Sequence, residues 1–408
     1  MSGQLQGARI RWAAWFGDTD LELTFPETWS IGLCAPEDGA DIGDDGIATA
    51  FSHPIGTPPL RQLAAGKRSP CVVIDDLTRP TQGSRLIPPI LDELAAAGIP
   101  PEDVLVLAGI ANHRPMVTED LEKKLGTYVL EHCQVANHFS WDGCTLIGTT
   151  TRGTPVELNN QFLQSDLRIL VGSIIPHGGA GFSGGAKLLM PGVASIRSAR
   201  AYHTGPVISG RYAVVETDAR LDAEEAARMA EVDLIVNSVP NSSMGIAALV
   251  VGDLVEAHRA GVQAAKRVMS TDTPTDVDIC VLSLYPKDGE FLQHITALAP
   301  YKTAAEPIVR PGGTVVIALA GSEGVGFHSL FGPGMQLSVP RATRLRDRDV
   351  IFFSPGLPPG LLPAAVREET IMHATWEETI AWLEHKHGSS ARVAVFPCAT
   401  MQLASAVC

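Results

Sequence analysis

No two of the seven cysteines (Cys34, Cys71, Cys133, Cys144, Cys280, Cys398 and Cys408) stand at CxxC spacing. An odd, scattered set of this kind reads as reduced thiols rather than a disulfide framework. No stretch approaches the ~20 consecutive apolar residues needed to span a bilayer. The first residues, MSGQLQGARIRW, lack the apolar core of a signal peptide. A cytoplasmic protein with no membrane association is therefore expected. Basic charge is also short, with 31 Lys and Arg against 45 Asp and Glu and a formal net charge of −14. That balance argues against a nucleic-acid partner, because phosphate binding needs a basic face. Charged residues make up 19% of the chain and apolar residues 45%, a composition that builds a sizeable core. At 408 residues the chain exceeds the ~250–300 at which single cores stop growing, so two domains are expected.

Short apolar runs alternate with helical patterns, which predicts an α/β fold with mostly parallel strands. Cys71–Asp76, Val104–Ala108 and Arg168–Ile174 read as buried strands. Ser84–Ala97 has the helical period, with Leu86, Ile90, Leu91 and Leu94 on one face. Asp222–Ala230 reads as a short helix, Leu234–Val236 as a strand and Asp253–Met269 as a long helix. The polar stretch Ser270–Asp278 (STDTPTDVD) is rich in turn formers and reads as the boundary between domains 1–269 and 270–408. Beyond it Ile279–Leu284, Thr314–Ala318, Val350–Phe353 and Val393–Phe396 read as strands, and Trp376–His385 as a helix. The expectation is two domains, each a mostly parallel sheet flanked by helices, with the active site in the cleft between them.

The chemistry concentrates after the strand Arg168–Ile174, in PHGGAGFSGGAKLLMPG from Pro176 to Gly192. Glycines at this density let backbone N–H groups approach an anion, although a plain surface turn has the same composition. Walker A spelling fails, because Lys187 is followed by Leu188 instead of Ser or Thr. The dinucleotide fingerprint fits only as Gly179, Gly181 and Gly184, a weak match by itself. Lys187 stands among Ala186, Leu188, Leu189 and Met190. Such surroundings lower a lysine's pKa and make it a nucleophile; a surface lysine or a phosphate contact is the plainer alternative. His203 follows a stretch that could be helical, Ser195–Tyr202. Imidazole suits a borderline metal, but one ligand does not make a site.

The spacing H-x9-K-x15-H, spelled PHxxxGFSGGAKLxxPGV…H, resembles the nickel-pincer lactate racemase family. The resemblance covers roughly residues 40–330 and weakens beyond. It implies that Lys187 covalently carries a pyridinium-3,5-bisthiocarboxylic acid mononucleotide holding nickel. It further implies that His203 is the protein's nickel ligand, that Gly184 and Gly185 belong to the cofactor loop and that His177 is one acid/base. D-D-L-T-R-P at Asp75–Pro80 matches the family segment that contacts the mononucleotide and the substrate, which gives Asp76, Leu77, Thr78 and Arg79 that role. Arg79 suits a carboxylate through its planar fork. His113, in ANHRPM, matches the second catalytic histidine. Asn237, Gly252, Asp253, Ala257, His258 and Gly261 match a later run and read as architecture. In Pro286–Leu298, Gln293 matches a substrate-facing glutamine, but Thr296 stands where the family has a lysine. Lys287 and Lys302 are the nearby candidates to replace it.

The implied activity is a racemase or epimerase acting at C2 of a 2-hydroxy acid or sugar acid. Hydride would leave to the cofactor and return to the other face, and His113 and His177 would exchange the hydroxyl proton. The departure at Thr296 implies a substrate other than lactate. Arg79, Arg85, Arg114 and Arg152 could hold its carboxylates. Cofactor-biosynthesis proteins are the expected partners, with a homodimer left open. Two other readings compete: a zinc hydrolase using His113, His177 and His203, and a non-catalytic nucleotide-binding module.

Overall fold

Two six-stranded sheets organise the chain, each at the centre of its own unit. The structure, a computed structural model, describes residues 5–338, 345–357, 360, 365, 367 and 369–408. One unit is Gly39–Val268. The other combines Met1–Asp38 with Met269–Cys408.

In the unit Gly39–Val268 the strands lie in the order Ile246–Gly252, Leu234–Pro240, Leu167–Ser173, Pro70–Ile74, Leu105–Ala108, Gln134–Asn137. All pairs are parallel except the outermost, Leu234–Pro240 with Ile246–Gly252. The inner strands are apolar along their length because both faces are covered; every residue of Pro70–Ile74 is buried. One covering element is the helix Gly83–Ala96, whose Leu86, Ile90, Leu91 and Leu94 are buried as the sequence period predicts. The chain runs outward from Pro70–Ile74 to one side and later returns to fill the other side with Leu167–Ser173. The order therefore switches between these two strands, which is where open α/β sheets bind ligands, at the strands' carboxyl ends.

The second sheet is parallel throughout, in the order Ile371–His373, Asp349–Phe353, Val309–Ala318, Val277–Ser283, Arg392–Phe396, Ser30–Leu33. Here the structure departs from the expected division at residues 1–269 and 270–408. Ser30–Leu33 hydrogen-bonds along Arg392–Phe396, so the first 38 residues belong with the C-terminal strands. A preceding hairpin, Leu5–Trp12 with Thr19–Pro26, buries Ile10, Leu23 and Phe25 in the same unit's core. The stretch Ser270–Asp278 is also less loop-like than its composition suggests. Ser270–Thr271 pairs with Leu403–Ala404, and Val277 is buried at the start of its strand. No helix among the described residues is long and apolar enough to cross a membrane.

Candidate active site

Three loops leave the carboxyl ends of neighbouring strands in the unit Gly39–Val268, and they carry the motif residues. The first follows Pro70–Ile74. Asp75 and Asp76 are adjacent, yet they do different work. Asp75 Oδ2 accepts from Thr81 Oγ1 at 2.7 Å, and Oδ1 pairs with Lys124 Nζ at 2.8 Å. Lys124 is fully buried and also donates to the carbonyls of Asp76 and Arg79, at 2.8 and 3.0 Å. One buried ammonium thus fixes the path of the whole loop. Burial pushes the Lys124 ammonium below the usual lysine range, with Asp75 opposing the shift.

Asp76 points instead at His113. Its Oδ2 lies 2.6 Å from His113 Nδ1, and its Oδ1 accepts from the Thr78 amide at 2.8 Å and the Thr78 hydroxyl at 2.5 Å. Burial alone would raise this carboxyl. His113, Arg79 and Thr78 together outweigh burial and hold it below the usual carboxylate range. Leu77 is buried beneath the turn. Arg79 Nη1 donates to the Thr78 carbonyl at 3.0 Å and the Thr78 hydroxyl at 2.7 Å, and it makes no ion pair among the described residues. The other candidate arginines are committed elsewhere. Arg85 forks onto Asp41 at 2.6 and 2.9 Å, Arg114 meets Asp120 at 2.5 Å and Arg152 meets Asp218 at 3.4 Å.

The second loop follows Leu105–Ala108 and carries His113. It is tied to the third loop by the Ala111 amide, which donates to the Gly192 carbonyl at 2.9 Å. That third loop leaves Leu167–Ser173. Pro176–His177 pairs back on Gly181–Phe182, so the histidine sits at the mouth of a tight turn. His177 Nδ1 accepts from the amides of Gly179 and Ala180, each at 3.0 Å. Gly181 is required there. Its φ is +70°, and a Cβ would meet the Val214 carbonyl oxygen at 1.7 Å.

Gly184 and Gly185 also have positive φ, +72° and +57°. They let the chain fold around Arg220, a fully buried guanidinium that donates to the carbonyls of Phe182, Ser183 and Gly184. Asn237 Oδ1 accepts from the Gly185 amide at 2.6 Å, and His258 Nε2 donates to the Ser183 carbonyl at 3.0 Å. Asn237 and His258, two of the six residues read as architecture, therefore brace the loop from behind. Burial, aided by Arg220, keeps His258 neutral.

Lys187 emerges from this braced loop, with Ala186, Leu188, Leu189 and Met190 buried around it. Its Nζ lies 5.2 Å from the centre of the buried Tyr202 ring. Burial, with the charges of Arg220 and Arg79 added, lowers its ammonium well below the ordinary range. His203 rides near the end of the helix Ile196–Thr204, which is capped by Ser195. Its Nδ1 donates to the Ala199 carbonyl at 2.7 Å, so the lone pair stands on Nε2. Burial, with Lys187 and His113 contributing, lowers its pKa to about 4. The ring is therefore neutral at ordinary pH, as a metal ligand must be.

Gln293 and Thr296 lie in the other unit, in the helical turns Phe291–Leu298 that follow the central strand Val277–Ser283. Gln293 Nε2 donates to Glu290 Oε1 at 2.9 Å, and the Thr296 hydroxyl donates to the Gln293 carbonyl at 2.8 Å. Lys287 is buried and Lys302 is exposed. Among the described residues, no group of three His, Cys, Asp or Glu side chains is placed to hold a metal ion. His113, His177 and His203 do not form the ligand set that a zinc hydrolase needs.

Sequence reasoning missed Lys124, Arg220 and Tyr202. For Lys124 a signal existed: it shares a helix face with Leu121 and Leu125, so the period alone placed its stem inward.

Comparison with known proteins follows the same lines. Residues 16–214 match the family model described as the lactate racemase N-terminal domain. The lactate racemase of Thermoanaerobacterium thermosaccharolyticum is 31% identical over 330 residues, covering 78% of this chain and 76% of that protein. That of Lactiplantibacillus plantarum is 28% identical over 382 residues, covering 86% and 88%. The solved structure of the T. thermosaccharolyticum lactate racemase apoprotein matches with a TM-score of 0.75 at 24% identity, over 98% of this chain and 100% of that one. A crystal structure of a Thermotoga maritima protein matches with a TM-score of 0.67 at 16% identity, over 90% and 99%. At those identities the structural likeness is one of fold.

Proposed function

Because the chain belongs to the lactate racemase family, we propose that it inverts C2 of a 2-hydroxy acid or sugar acid with a nickel-pincer nucleotide carried on Lys187. The observation that carries this reading is the pair Lys187 and His203. A lysine whose ammonium is disfavoured by burial is a nucleophile able to form a covalent link to a carboxyl-derived group. A neutral imidazole with its lone pair on Nε2 is a ligand for a borderline metal such as nickel. One protein ligand suffices when the nucleotide, a pyridinium-3,5-bisthiocarboxylic acid mononucleotide, supplies the remaining donors. When bound, that group supplies an acceptor for the hydride of C2 and returns it.

The chain's own residues handle the proton and the carboxylate. His113 and His177 exchange the hydroxyl proton, one for each hand of the substrate. Arg79 holds the carboxylate bidentately, since its fork is not spent on an ion pair. Asp76, Leu77, Thr78, Gly184 and Gly185 form the cradle of the mononucleotide. By the resemblance Gln293 and Thr296 belong to the substrate side, with Gln293 matching the family's glutamine and Thr296 standing where the family has a lysine. This favours a substrate other than lactate, with a polar substituent for the Thr296 hydroxyl to bind.

A chiral and deuterium-exchange screen of 2-hydroxy acids and sugar acids with cofactor-loaded protein tests the reading. Inversion of at least one, lost in His113→Ala and His177→Ala, is the expected result. Loaded protein that inverts none would overturn it and favour the non-catalytic nucleotide-binding module. Full activity in both histidine variants would remove their assigned role.

A further inference from the structure

The two histidines assigned to the proton are held by opposite kinds of partner. His113 Nδ1 faces a carboxylate oxygen, Asp76 Oδ2, at 2.6 Å. A carboxylate accepts only, so Nδ1 carries a proton, and in the neutral ring the lone pair is on Nε2. His177 Nδ1 faces two backbone amides, Gly179 and Ala180, at 3.0 Å each. Amides donate only, so Nδ1 carries the lone pair and the neutral ring must hold its proton on Nε2. The two Nδ1 roles follow from the carboxylate and the amides, whose own roles are fixed; the Thr78 hydroxyl, 3.3 Å from His113 Nδ1, donates to Asp76 instead.

We propose that Asp76 and the Gly179–Ala180 turn are positioning groups that sort the two rings into opposite tautomers. In their neutral forms His113 then presents a proton acceptor at Nε2, and His177 presents an N–H there that can donate a hydrogen bond but not accept a proton. The catalytic meaning of this sorting rests on the racemase reading; the tautomers themselves do not.

The consequence for proton transfer is asymmetric. When the substrate hydroxyl faces His113, its O–H bond breaks, an N–H bond forms at Nε2, and the resulting imidazolium keeps its Nδ1–H on the Asp76 carboxylate. His113 itself needs no rearrangement; the alkoxide formed on the other face takes its proton from water or from a doubly protonated His177, because a neutral ring that gave up its Nε2 proton would be left an imidazolate. When the hydroxyl faces His177, Nε2 already bears a proton. Before the ring can accept another there, that proton must be exchanged through water for one at Nδ1, and both amide bonds must open. That opening works against the packing of the turn, since Tyr212, Val207 and Gly210 lie close against Gly178 and Gly179. The resting site is thus set for one hand of the substrate, and it is reset for the other by opening a turn.

Ring-nitrogen NMR of the full chain labelled with 15N-histidine reads the tautomers directly, at neutral pH, with and without the nickel cofactor. His113→Asn and His177→Asn assign the two signals. The expected result in the cofactor-free chain is a protonated Nδ1 for His113 and a protonated Nε2 for His177. The same tautomer in both rings would overturn the proposal. In Asp76→Asn, whose side-chain amide can donate as well as accept, His113 should spread over both tautomers while His177 stays unchanged; a His113 ring that does not respond would show that Asp76 is not its positioning group. In loaded protein, Asp76→Asn should lower kcat by roughly 100-fold or more with KM little changed. Asp76→Glu should recover part of it. Sorted tautomers in a loaded protein that inverts no substrate would sink the functional reading and leave the sorting intact, whereas active protein with unsorted rings would do the reverse.

Discussion

The amine of Lys187 is the residue on which the cofactor assignment turns, and its local physics makes two claims. Burial and two neighbouring guanidinium groups disfavour the ammonium. In the cofactor-free chain it should therefore react with an acylating reagent at pH 7 roughly 10-fold or more faster than an exposed lysine such as Lys123. Peptide mapping measures this, and equal rates would remove the activated amine. Protein made with the cofactor pathway should show an added mass that Lys187→Ala lacks; an adduct surviving the substitution would move the attachment elsewhere. Lys187 was legible in the sequence because its apolar neighbours are contiguous with it. Arg79 was less so. Four arginines looked alike, and only the positions of Asp41, Asp120 and Asp218 separate the paired ones from Arg79, which makes no ion pair among the described residues.

At the level of elements, the glycine loop is shaped by a group outside it. Arg220 holds three loop carbonyls from the helix Asp218–Met229. Arg220→Met leaves those carbonyls buried without a charged donor and removes a braced turn. It should cost about 3–5 kcal/mol, the range for breaking a buried charged network, and abolish the Lys187 adduct. Denaturant unfolding and intact mass check the two outcomes. Gly181→Ala must shift the loop at Val214, because the added Cβ would overlap that carbonyl oxygen. A loss of more than about 2 kcal/mol is expected, and a neutral result would mean the turn is not constrained. The strong helices and buried parallel strands were readable because their periods are long and uninterrupted. The hairpin Cys144–Thr149 with Pro155–Asn159 was not: its first strand is largely exposed, and the second, with Val156 and Leu158 buried, is only five residues long. Arg220 escaped because its helix face is otherwise small alanines and Glu224, and an Arg–Glu pair four residues apart looks like a solvated surface pair.

For the whole molecule, several buried bases point one way. Burial lowers His138 to about 4, and His258 shifts in the same direction. Between that value and the ordinary ~6.5 of an unfolded histidine, the unfolded chain binds more protons than the folded one, so stability falls as pH drops through the window. His138 contributes on the order of 3 kcal/mol at most. The urea midpoint should be lower at pH 5 than at pH 7.5, and His138→Gln should narrow the gap; equal midpoints would contradict the buried neutral ring. A second consequence follows from Ser30–Leu33 lying beside Arg392–Phe396. The unit Gly39–Val268 is an insertion in its neighbour's chain. During synthesis the inserted unit is complete, and free to fold, long before the sheet around it receives its last central strand. Residues 39–268 made alone should unfold cooperatively and still acquire the Lys187 adduct. Deleting residues 1–38 should instead expose the edge of Arg392–Phe396 and loosen the unit that carries Gln293, so a trim at the start of the chain is a lesion of its end.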